Sequence, residues 1–200
     1  MRRSISTLTL VMAAVMLFPA SAHAHLVSSG MGPFYDGISH LLLSPDDLLG
    51  VVALALWAGL HGKRHGRLAL AALPGAWVLG GIIGLFQPTE TLAPAASALS
   101  IVALGVLLAA NASFGAVVFL ALAAAFGLFH GFLNGTAAAG GMGFTGLIGI
   151  ALGVFTLAAL LSSTSASLKA HWMKIAARVA GSWIAAFGLL MIGWAMRPKL

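Results

Sequence analysis

Asp36-Gly37-Ile38-Ser39-His40-Leu41-Leu42-Leu43-Ser44-Pro45-Asp46-Asp47, running straight into the apolar segment Leu48 to Leu60, sets the architecture of this chain. It holds three of the four acidic residues in the 200-residue sequence, beside a histidine and at the mouth of a hydrophobic run. Ser44 suits a helix N-cap, Pro45 the first helical position, and Asp46 and Asp47 a first turn where the dipole favours anions. Charge set beside hydrocarbon is costly, so an ionisable cluster at this place points to function. Asp46 and Asp47 therefore carry two readings: ion ligands, or helix-start residues with no ligand.

Outward from this stretch the chain is oily. Hydrophobic residues make up 60% of it, charged ones 7%, and mean hydropathy is +1.05. A soluble domain averages about 25% charged residues, so lipid is the expected solvent. Six apolar runs predict an all-α, polytopic membrane bundle with spans at 45–60, 68–86, 92–110, 114–133, 144–161 and 175–196. Residues 25–200 then form one membrane domain. Ile38 to Leu43 is too short to span and reads as an interfacial segment or a half-helix.

Residues 1–24 read as a secretory signal: Arg2-Arg3, an apolar core from Leu8 to Phe18, Pro19, then Ala22-His23-Ala24. That core falls short of the ~20 residues a span needs. Cleavage after Ala24 would leave His25 as the mature N-terminus, with an α-amine and a ring nitrogen that together can chelate a metal.

Lys63, Arg64 and Arg67 fall in one connection, and Lys169, Lys174 and Arg178 in or beside another. Six alternating spans with a translocated N-terminus put both in the cytoplasm, as the positive-inside rule requires. The predicted location is thus a bacterial-type inner membrane, N-terminus outside, with all four carboxylates on the outer face. Arg197 and Lys199 in the tail are exceptions.

Several classes fall away. Without cysteine there is no thiolate site, disulfide or iron–sulfur cluster, which leaves imidazole, carboxylate and carbonyl as ligands. The basic residues sit in loops without interleaved aromatics, which argues against nucleic acid. No phosphate-binding Gly-Lys-Ser/Thr loop, HExxH or GxSxG pattern is present.

The donors that remain form small groups. Asp36 and His40 are spaced i,i+4, as are His130 and Asn134, so each pair shares a helix face. Gly127, Gly131 and Gly135 form a ladder suited to close helix packing, within the chain or between copies of it. Glu90 lies in a short outer loop between Pro88 and Pro94. His61, His65 and His171 fall in basic loops and read as polar loop residues, with a receiving metal site as the alternative. The candidate metal ligands are accordingly His40, His130, Asp36, Glu90, Asp46, Asp47, Asn134 and His25, with Asp36, His40 and His130 expected to converge.

The signal ending in Ala-His, the acidic-His stretch before the first span, and Phe129-His130-Gly131 together resemble the HupE/UreJ family. These are small membrane proteins linked to hydrogenases and ureases and regarded as nickel or cobalt permeases. The resemblance implies that His40, nearby acids and His130 belong to a metal pathway, with Ni²⁺ or Co²⁺ as cargo rather than cofactor. The chain departs from the family pattern in four places: the earlier histidine of the first motif is absent, with Pro33-Phe34 nearby, Ser39 stands where an aspartate is usual, Asn134 where a second histidine is, and Ala137 where a glutamate is. Asp36 is positioned to supply the missing carboxylate. The leading expectation is a secondary permease partnered by the bilayer and a divalent ion. The alternatives are a membrane-embedded metal hydrolase using His40, His130 and Asp36, and an assembly partner for another membrane complex.

Overall fold

The computed structural model describes residues 29–87 and 94–197. The signal segment, His25 and Glu90 lie outside the described residues. Seven helices and no strands are found among those described: α1 (Pro33–Leu43), α2 (Pro45–Leu60), α3 (Lys63–Leu85), α4 (Pro94–Ala110), α5 (Ala116–Ala138), α6 (Gly143–Ala166) and α7 (His171–Ala195).

Four of these, α3, α5, α6 and α7, are long and apolar enough to cross a membrane, which makes the chain a multi-pass membrane protein. α1 and α2 pass the same test only as a pair, bent by 74° at Ser44. α4 is apolar but shorter. Length and composition thus give four crossings, or five with the bent pair, rather than the six expected.

Boundaries moved where polar residues were read as loops. The stretch 61–67 is mostly helix: Gly62 takes φ 96° and lets α3 begin at Lys63. Residues 162–174 shrink to a short link, because Ser163, Thr164 and Ser165 turn their hydroxyls onto carbonyls of the preceding turn and α6 runs on to Ala166. Ser162 and Ser165 are buried there, against Gly59 of α2. α5 likewise continues through Gly135 to Ala138.

α2 is the central post, touching α1, α3, α4, α6 and α7. Its Val51, Leu54 and Trp57 are fully buried with Trp77 of α3 and Phe119 of α5. α3 and α5 pack most extensively, and glycine is the reason. A Cβ on Gly127, Gly131 or Gly135 would strike the α3 backbone at Leu73, Trp77 or Gly81, and one on Gly80 or Gly84 would strike α5. At these glycines the two backbones meet directly, the close approach that small residues permit in lipid. α7 packs on α4 at the periphery and leaves Trp183, Leu189, Leu190 and Trp194 outward.

Candidate metal centre

The bend at Ser44 builds the site. Ser44 donates its N–H to the His40 carbonyl at 2.9 Å, closing α1, and accepts from Leu48 N–H at 2.9 Å, opening α2. Pro45 between them has no N–H to carry α1 onward. The chain turns, and Asp46 and Asp47 enter the bundle in the first turn of α2.

Asp47 is 3% exposed and His130 is fully buried. One Asp47 oxygen accepts from His130 Nδ1 at 2.7 Å and the other from Asn134 Nδ2 at 2.8 Å. The i,i+4 spacing of His130 and Asn134 thus serves both oxygens of a single carboxylate. Asn134 also donates to the His130 carbonyl at 2.9 Å. On the far side of the ring, His130 Nε2 meets Ser100 Oγ at 2.8 Å, and Ser100 reaches the Ser97 carbonyl at 2.7 Å. Ser97 Oγ donates to Asp46 at 2.5 Å. The chain of contacts runs from α2 through α4 and α5 and back to α2.

The partners assign the ring's protons. A carboxylate accepts only, so Nδ1 carries hydrogen; the one hydroxyl proton of Ser100 goes to the Ser97 carbonyl or, when the ring is neutral, to Nε2. A carboxylate behind a histidine orients the ring and raises its basicity as a ligand. Phe126 lies against the ring at 4.2 Å between centroids, with Phe129 at 5.2 Å and Trp77 at 5.8 Å, so aromatic walls fix it further.

Asp46, Asp47 and His130 each present a ligand atom within 4.8 Å of the others. Asn134 Oδ1 is buried beside them without a partner among the described residues, which adds a carbonyl donor in need of one. With the Asp47–His130 hydrogen bond released to the ion, two carboxylates, an imidazole and an amide oxygen would make a mixed O/N set suited to a divalent first-row ion. With a neutral ring its formal charge is about −2, shared by buried Asp47 and half-buried Asp46, and a charge taken out of water calls for an opposite charge beside it. A dication meets that demand.

The sequence reading placed the weight differently. Asp46 and Asp47, open to a capping role, hold the two acidic corners of the cluster, and Ser44 makes no side-chain cap. His130 and Asn134 come together as expected. Asp36 and His40 do not join this cluster: Asp36 accepts from the Ser29 N–H, and His40 Nε2 lies 3.5 Å from Ser44 Oγ, both on half-buried α1. The convergence of Asp36, His40 and His130 is therefore replaced by that of Asp46, Asp47 and His130, and the ligand trio of the hydrolase alternative is not assembled. Ser97 and Ser100 were missed, though two hydroxyls three residues apart in an apolar helix are a readable sign of polar contact across helices.

A family profile described as HupE / UreJ protein matches residues 13–191. The chain belongs to the HupE/UreJ family. Protein HupE of Rhizobium leguminosarum bv. viciae is 28% identical over 192 residues, covering 94% of this chain and 97% of that protein. No solved structure matches. In this family member, the Phe129-His130-Gly131 motif divides its labour plainly. His130 supplies the imidazole, and Gly131 gives α3 the room that holds it in place.

Proposed function

We propose that this chain is a secondary permease that takes up a divalent transition-metal ion, Ni²⁺ or Co²⁺, through a site formed by Asp46, Asp47 and His130 with Asn134. The observation that carries the reading is the pairing of two carboxylates with one buried, carboxylate-oriented histidine inside an apolar bundle. Nothing in lipid supplies the missing positive charge, so a cation from outside is the natural complement. Ligands borrowed from two helices, α2 and α5, suit passage as well as capture, since conduction needs binding weak enough for release.

The bent pair counted as one crossing, with α3 to α7, gives six spans. α4 at 17 residues is about 26 Å long at 1.5 Å per residue, a shortfall bilayers accommodate. With residues 1–24 as a cleaved signal and the N-terminus outside, Asp46 and Asp47 face the outer side of an inner membrane. Asp36 and His40 on α1, with Glu90 and His25, then act as a capture arm before the site. The ion is cargo, and no hydrolytic role is assigned.

The test is accumulation of labelled Ni²⁺ and Co²⁺ in cells lacking their own importers. Parent protein raises uptake, Asp47→Ala and His130→Ala abolish it, and His40→Ala lowers it at limiting metal. If Asp47→Ala and His130→Ala import as well as the parent at equal membrane abundance, the pathway is misassigned.

A further inference from the structure

At the other end of α2 stands a second pair of imidazoles. His61 closes α2 and His65 lies in the first turn of α3, with ring centroids 5.7 Å apart across the left-handed turn at Gly62. Each ring is pinned by a backbone carbonyl, and a carbonyl can only accept. His61 Nδ1 donates to Trp57 O at 2.9 Å, which leaves Nε2 with the lone pair. His65 Nε2 donates to Phe114 O at 3.3 Å, which leaves Nδ1 with the lone pair. That His65 Nδ1 is buried and has no partner in the described structure. A buried lone pair left unmade is costly, and a backbone-oriented imidazole is the usual form of a histidine metal ligand.

The surroundings fit a borderline metal ion rather than a proton relay or an anion. Phe119 lies 5.1 Å from His65, and Trp57 lies 5.9 Å from His61 and 5.1 Å from Phe119, so the pair sits against an aromatic wall. With metal–nitrogen bonds of about 2.1 Å, two imidazoles sharing one ion hold their centroids some 5–6 Å apart, the spacing observed. Lys63, Arg64 and Arg67 crowd the same turn and oppose a resident dication. Two ligands amid positive charge make a site that binds and lets go.

We infer that His61 and His65 form a second, weaker binding site for a divalent transition-metal ion, about 20 Å along α2 from Asp47 at 1.5 Å per residue. Calling it the exit end of the route rests on the uptake reading; the binding itself does not. Each site has its own tryptophan: Trp57 beside His61, and Trp77 5.8 Å from His130. Replacing the exposed Trp172, Trp183 and Trp194 by Phe in the full chain leaves those two reporters.

The experiment combines Ni²⁺ equilibrium dialysis with quenching of this two-tryptophan protein by paramagnetic Co²⁺. His61→Ala/His65→Ala is expected to lose one ion per chain and the quenching of Trp57 while keeping that of Trp77. His61→Gln/His65→Gln, which retains donors for both carbonyls, gives the same loss without disturbing the turn. His130→Ala is expected to show the mirror image. Unchanged stoichiometry and unchanged Trp57 quenching in both His61/His65 variants overturn the inference. A His130→Ala protein that binds like the parent overturns the outer site and leaves this one standing.

Discussion

Asp36 and Asp47 lie in one short stretch of sequence and live in different worlds. Asp36, on the near side of the bend, accepts one backbone N–H at a half-buried position on α1. Asp47, on the far side, is buried with both oxygens bonded to α5. Residue type and local sequence do not distinguish them, whereas the 74° turn at Ser44 does. The lesson is that an acid in a membrane protein takes its role from the direction in which its helix enters the bundle. A carboxylate at a helix start can be a cap, a lure for ions or the wall of a cavity, and the third requires neighbours from elsewhere in the chain.

The sharpest way to break this contrast is Asp47→Ala. It strands a buried imidazole N–H and an amide N–H, so it is expected to cost about 1–3 kcal/mol for each donor left unsatisfied, and to abolish metal uptake. Thermal unfolding in detergent and the uptake assay read the two effects, and a variant of parental stability would show that the pair carries no weight. Gly131→Ala is expected next, at about 1–3 kcal/mol from overpacking against Trp77. His130 would shift with its helix, so metal binding should fall with stability, and a bystander glycine would lower stability alone. Ser100→Ala removes one hydrogen bond to the ring and should cost about 1 kcal/mol, with uptake reduced but measurable. The smallest effect is expected from Asp36→Asn with His40→Ala: unchanged melting, and a raised half-saturating metal concentration at unchanged maximal uptake. Should that double variant melt early, α1 is a structural strut rather than a capture arm.

Much of the architecture could be read from residues alone. Apolar runs gave the helical membrane bundle, and α2 begins at Pro45 and ends at Leu60 as expected. What misled was polarity taken as a sign of loop. Lys63 to Arg67 and Ser162 to Ser165 are helical, the serines through hydroxyls bonded back to their own turn. In the site, the i,i+4 pair His130 and Asn134 was visible because its spacing is local. The partners of that pair were not, since Asp47, Ser97 and Ser100 reach it only through tertiary packing across long sequence separations. Asp47 moreover had a sufficient local explanation at its helix start, and a sufficient local explanation hides a non-local one.

The interlocked backbones of α3 and α5 carry a mechanical consequence. With backbone set against backbone at Gly80, Gly84, Gly127, Gly131 and Gly135, the two helices are built to move as a single beam. Each imidazole-bearing gap has one jaw on α2 and the other on that beam: Asp47 against His130 at one end, His61 against His65 at the other. A tilt of the beam about the middle of α2 would prise open one gap as it pinched the other, the action of a seesaw.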